Sequence, residues 1–194
     1  MILLYDKETA IVTLPKTGST SLFHTLCKPP HNGIFCIGPS GNDTNYYDHH
    51  SIIFPQAPFV WKKIIIVRHP LQRLVSLWGH MAKSQLMKFE KITPIEDFVD
   101  GIANRVYEFY FYQWSQCDII KDMQYDCFVK TENMSNHLLE LGILHYPGEL
   151  LHKNIFNVNK NNTTPPYEKI LTPDMIEKLR WWWEPDAIRF DYNI

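Results

Sequence analysis

The sequence predicts an α/β fold, a central parallel sheet flanked by helices on both faces. Three observations carry this expectation. Short apolar runs rich in β-branched residues recur along the chain, as buried strands do. Each run is followed by a segment with apolar residues three or four apart, the spacing of a helix. The 194 residues, 45% of them hydrophobic and 21% charged, suffice for one soluble core. A single domain over residues 1–194 is expected.

The first strand is AIVTL, residues 10–14. A helix from about Gly18 to Cys27 follows, with Leu22 and Leu26 on one face and Pro29-Pro30 ending the run. Residues 28–60 are rich in Gly, Pro, Asn and Asp and read as long loops. KKIIIVRHP, residues 62–70, is the second strand, closed by Pro70. Pro70 suits a first helical turn, and Leu71, Leu74, Val75 and Trp78 make an apolar stripe after it. Residues 94–116 predict another helix, with Phe98, Ile102, Val106 and Phe109 at helical spacing. YDCFVK, 125–130, is the third strand, and TENMSNHLLELG a helix stopped by Gly142. A polar loop, 157–166, precedes a last helix capped by Thr172 with Pro173 in its first turn.

Net charge is −2, so bulk electrostatics do not mark a nucleic-acid binder. Asp6, Lys7 and Glu8 interrupt the apolar start, and no run approaches the roughly 18 apolar residues of a membrane span. A cytoplasmic or otherwise soluble protein is expected. Cys27, Cys36, Cys117 and Cys127 form no CxxC pair and read as free thiols. The sequons at Asn42, Asn133, Asn161 and Asn162 are then incidental.

LPKTGSTSL, residues 14–22, joins the first strand to its helix. Free amides from about Thr17 to Thr20 would face a bound anion, aided by the helix dipole. Gly18 permits close approach, Ser19, Thr20 and Ser21 add hydroxyls, and Lys16 supplies a cation. An ordinary strand-to-helix turn with a solvated lysine is the bland alternative. No GxxxxGK occurs, which argues against a nucleotide kinase. VRHPLQRLVSLW follows the second strand, with Arg68 at its end and Ser76 eight residues later. A guanidinium and a hydroxyl there suit a second phosphate. Arg73 is a further candidate, with an outward salt bridge the competing reading.

The two motifs resemble those of the PAPS-dependent sulfotransferases. LPKTGSTSL looks like their 5′-phosphosulfate loop, and VRHPLQRLVSLW like their 3′-phosphate motif, although His69 stands where Asp or Asn is usual. FVKTENM resembles the family's strand ending in a glutamate before a helix. NVNK, the polar loop and helix after it and DAIRFDYN resemble the end of the carbohydrate sulfotransferases, the heparan 2-O- and chondroitin-type subgroup, here in a short soluble version.

The resemblance implies a P-loop-like three-layer fold and transfer of a sulfuryl group from 3′-phosphoadenosine 5′-phosphosulfate (PAPS) to an acceptor hydroxyl, a glycan being favoured. It implies that Lys16, Thr17, Gly18, Ser19, Thr20 and Ser21 hold the phosphosulfate, with Lys16 also at the leaving oxygen. Arg68 and Ser76 would hold the 3′-phosphate, and Lys160 would close over the nucleotide. No metal is required for the donor. The general base would be a histidine between the two motifs, His50 first and His49 second, oriented by Asp48. Glu132 and Glu90 are fallbacks. Trp61, Phe156 and Tyr167 are candidates for an adenine slot.

A zinc site from His24, Cys27, His31 and Cys36 fits no standard ligand spacing. RWWWEP, 180–185, reads as helix packing before sugar stacking, and Lys83, Lys88 and Lys91 as a solvated face before an acidic-glycan surface. No nucleic acid or membrane partner is expected, and the small chain leaves room for a homo-oligomer. The competing readings are a non-catalytic nucleotide- or glycan-binding relative and, more remotely, a nucleotide kinase.

Overall fold

The computed structural model describes residues 1–35, 61–81, 94–105, 114–121, 123–147, 149 and 165–194. The chain divides into two compact units. The first comprises Met1–Arg68 with Asp122–Asn161, the second His69–Lys121 with Asn162–Ile194.

The first unit holds the sheet. Its strands among the described residues are β1 (Ile2–Leu4), β2 (Thr9–Thr13), β3 (Ile34–Phe35), β4 (Lys62–Val67) and β5 (Cys127–Lys130), in the order β3-β1-β2-β4-β5. β2, β4 and β5 are parallel, with Val12 opposite Ile65 and Ile66 opposite Val129. These are the three strands the sequence predicts. The sheet is not wholly parallel, however. β1 pairs antiparallel with both β2 and β3. β1 and β3 are three and two residues long, too short to show a period-2 pattern. β3 lies inside the stretch expected to be loop.

Both faces of the central strands are buried, which explains their continuous apolar runs. On one face Ile2, Leu4, Ile11, Ile64, Ile66 and Val129 form a core with two helices of this unit, α1 (Ser19–Leu26) and α5 (Met134–Glu140). Leu22 and Leu26 supply the α1 stripe, and Met134 and Leu138 that of α5. The opposite-facing Leu3, Ala10, Val12, Ile65 and Val67 are buried too. Gly142 ends α5 as expected. At φ 70° it lets its own amide bond the Leu139 carbonyl while the Ile143 amide bonds that of Leu138, a Schellman closure.

The second unit is helical: α2 (Pro70–Met81), α3 (Ile95–Ala103), α4 (Gln116–Ile119), α6 (Pro173–Lys178) and α7 (Arg180–Phe190). Leu71, Leu74 and Val75 of α2 join Phe98, Val99 and Ile102 of α3 and Trp182, Trp183 and Ala187 of α7 in its core. The predicted helix over 94–116 is interrupted. α3 stops at Ala103, Arg105 takes a left-handed φ of 53°, and Ser115 caps the separate α4 by accepting from the Asp118 amide. The last predicted helix is likewise two. Thr172 caps α6 as expected, then Leu179 breaks the run before α7. Of the tryptophan triplet, Trp182 and Trp183 are buried and Trp181 is exposed. Among the described residues no helix is long and apolar enough to cross a membrane.

Candidate functional site

The three parallel strands end side by side, and each sends a residue into one cluster within the first unit. β2 leads into Leu14-Pro15-Lys16-Thr17. The Thr17 amide bonds the Leu14 carbonyl at 3.2 Å, and the Thr17 hydroxyl bonds the same oxygen at 2.7 Å. Proline in second place and a positive φ of 68° in third, at Lys16, are the marks of a type II turn. Glycine is the usual occupant of that third place. A lysine there carries strain of about 1–3 kcal/mol. Strained residues gather at functional sites, and here the strained residue is the loop's cation.

Gly18 follows at φ 92° and occupies the N-cap of α1. A Cβ on it would meet Met134 Cε at 3.1 Å. Having no side chain, it cannot cap the helix. The amides of Ser19, Thr20 and Ser21 open the first turn, where a helix has no partners of its own to offer. The positive end of the helix dipole adds to their attraction for an anion.

Two residues brace the loop. Arg68, just past β4, donates from Nη1 to the Lys16 carbonyl at 3.1 Å. Thr131, just past β5, lies with Oγ1 3.0 Å from the Thr17 carbonyl and 2.8 Å from that of Val67. Its one proton is shared between two carbonyls, so the hydroxyl ties the loop to the end of β4. Thr131 is not among the sequence-predicted site residues; the signal that marks it is a hydroxyl residue at the carboxyl end of a parallel strand, where ligand sites gather.

The structure therefore brings Lys16, Thr17, Gly18 and Arg68 together and sets Ser19, Thr20 and Ser21 in the first turn beside them. The amide and hydroxyl of Thr17 both serve the turn, so Thr17 shapes the loop from within. Ser76 belongs to the second unit, where it is buried on α2. Arg73 does not point outward, contrary to the competing reading. It is fully buried, donates to the Trp114 carbonyl at 2.9 Å and lies 5.7 Å from the Trp182 ring centroid. Trp61 precedes β4 and packs edge-on against Tyr5. It thus sits at the opposite end of that strand from Arg68, which weighs against an adenine role. Tyr167 stacks on His69 at 4.8 Å, and Tyr192 meets the same ring edge-on. His50, His49, Asp48, Lys160, Glu90 and Phe156 lie outside the described residues. Glu132 is exposed in the turn after Thr131.

A family model described as the sulfotransferase family matches residues 5–193. The chain belongs to the sulfotransferase family. That match runs through both motifs and both units, and it supports sulfuryl transfer as the class of reaction. The mixed sheet with helices against it fits the P-loop-like fold of a sulfotransferase. No curated protein and no solved structure matches the chain.

Proposed function

We propose that this sulfotransferase takes the sulfuryl group from PAPS and delivers it to a hydroxyl of an acceptor, a glycan being the favoured class. The supporting observation is the loop after β2, where a strained lysine and an uncapped helix start lie against Arg68. PAPS is an adenosine compound with two separate anionic groups, a 5′-phosphosulfate and a 3′-phosphate. Its phosphosulfate suits the amides and hydroxyls of Ser19, Thr20 and Ser21. Its 3′-phosphate suits Arg68, with Ser76 from the same sequence motif.

Lys16 then stands near the bridging oxygen between sulfur and phosphorus. Charge grows on that oxygen as the S–O bond breaks, and a fixed ammonium there stabilises the transition state more than the ground state. The acceptor oxygen attacks sulfur from the far side, and its proton passes to a base. His50, with His49 as second choice, is the proposed base, because imidazole titrates nearest neutral pH. Lys160 is proposed to close over the nucleotide. No protein-bound metal has a role in this scheme.

The test is calorimetric titration of the full chain with PAP, followed by an acceptor screen with labelled PAPS. PAP binding that weakens in Arg68→Ala, together with label transfer that fails in Lys16→Ala, is the expected pattern. PAP binding without transfer to any hydroxyl acceptor would favour a non-catalytic relative. Absence of PAP binding would overturn the proposal.

A further inference from the structure

We propose that His31, His145 and Glu149 form a three-ligand site for a divalent first-row transition cation of the zinc type, stapling the turn after α1 to the turn after α5. The site stands on geometry within the first unit and does not depend on the sulfotransferase reading.

Their donor atoms, one from each residue, all lie within 4.8 Å of one another. His31 and Glu149 are buried, with side chains 1% and 5% exposed, while His145 is 47% exposed. The set thus has a closed floor and one side open to a solvent ligand. Two imidazoles and a carboxylate are donors that zinc-type ions accept.

The positions are fixed by the backbone rather than by chance contact. His31 sits in a turn whose amides bond back to Lys28 and, through Gly33, to the Leu26 carbonyl at the end of α1. A Cβ on Gly33 would fall 2.6 Å from that carbonyl, so the turn is tight. His145 follows the Schellman closure of α5, where Ile143 and Leu144 both bond the Leu138 carbonyl. The two helices start at the edge of the sheet that carries the Lys16 loop, so their far ends place this cluster away from it.

Ordinary hydrogen bonding explains only part of the arrangement. Glu149 Oε1 is 2.6 Å from His31 Nε2, and Oε2 accepts from the His145 amide at 2.5 Å. The His145 ring is held flat on that of His31, with centroids 4.6 Å apart and planes 14° apart. Its Nδ1 lies 3.7 Å from the same Oε1, too far for a hydrogen bond. Two donors on one zinc ion, each about 2.1 Å from it, stand about 3.4 Å apart at a tetrahedral angle. The 3.7 Å gap is close to that separation. To complete the set, His31 would have to open from 2.6 Å and the exposed His145 ring would have to turn out of the stack, so that the two in-plane lone pairs meet at one ion.

The experiment uses the full chain stripped with a chelator and dialysed. Co²⁺ titration should give visible d–d absorption saturating at one equivalent. Zn²⁺ should compete and should raise the unfolding temperature as its concentration rises. His145→Ala, exposed and therefore expected to fold, should lose at least about tenfold in affinity, as should Glu149→Gln. Absence of saturable binding overturns the site. So does undiminished affinity in His145→Ala, which would leave the His31–Glu149 hydrogen bond as the whole connection. PAP titration of the same stripped protein keeps the two proposals separate.

Discussion

Arg68 holds the main-chain carbonyl of Lys16 at 3.1 Å, so the cation after β4 fixes the cation after β2. Two positive side chains on neighbouring strand ends repel. The carbonyl offsets part of that cost by accepting from the guanidinium. It engages one arm of the planar group. The relationship makes Arg68 both a brace and the proposed phosphate ligand, and the two roles separate by substitution.

Arg68→Ala should weaken PAP binding by about 2–5 kcal/mol, the range for removing one member of a desolvated charge pair. Arg68→Lys keeps the charge but loses the flat fork that reaches a carbonyl and a phosphate together. It should therefore restore only part of the affinity. Calorimetry at fixed salt reads both effects. Equal affinity in Arg68→Lys and the parent would show that charge alone matters and would remove the bracing role.

Thr131→Val removes the hydroxyl shared by the Thr17 and Val67 carbonyls while keeping the side-chain shape. The change should cost about 1 kcal/mol in urea unfolding, the usual net contribution of a hydrogen bond, because Thr131 is only part-buried. Thr131→Ser retains the hydroxyl and should recover most of that stability. It also drops the methyl that lies near Gly18, so a small packing loss is expected. If Val and Ser variants are equally stable, the hydroxyl bridge carries no weight.

Much of this was legible in the sequence, for physical reasons. A buried parallel strand such as Ile64–Val67 has no polar face to present, and that leaves a plain apolar run. Pro173 and Thr172 mark a helix start through local chemistry alone. Gly142 marks a helix end in the same way. β1 and β3 were not legible, because pairing across a short edge is a tertiary event. The break at Leu179 was hidden too: the apolar spacing continues across it, and only the backbone turns. Within the site, Lys16 and Arg68 were visible from motif spacing. Thr131 was not, because what singles it out is distance to two carbonyls far away in sequence.

Asp186 offers a test of the second unit. Its carboxylate is fully buried on α7 and accepts from the Gln116 amide, the Gln116 side chain and the Cys117 amide at 2.9, 3.0 and 2.7 Å. It thereby ties the start of α4 to α7. Asp186→Ala should cost on the order of 1–3 kcal/mol for each orphaned buried donor, enough to threaten folding. Asp186→Asn is gentler and reports on charge. Burial first, then the Asp186 carboxylate, pushes the Cys117 thiol up to about 12, with Arg189 opposing. Removing the negative charge favours the thiolate, so the thiol in Asp186→Asn should titrate lower. Alkylation of Cys117, followed by peptide mass mapping across alkaline pH, should begin at lower pH in the variant. An unchanged profile would assign the whole shift to burial.

Lys16 sets stability against activity at one position. Its φ of 68° suits glycine and strains any residue with a Cβ. Lys16→Ala keeps the strain and loses the ammonium. Lys16→Gly loses both. The glycine variant should therefore unfold later than the alanine variant, by about 1 kcal/mol, while both lose turnover nearly completely. PAP binding should persist in both, because the proposed role of Lys16 lies in the transition state and not in nucleotide affinity. Thermal unfolding, PAP calorimetry and label transfer, run side by side on the two variants, separate these effects. Alanine matching glycine in stability would mean that the turn relaxes once lysine is gone. Turnover surviving in either variant would place the catalytic cation elsewhere.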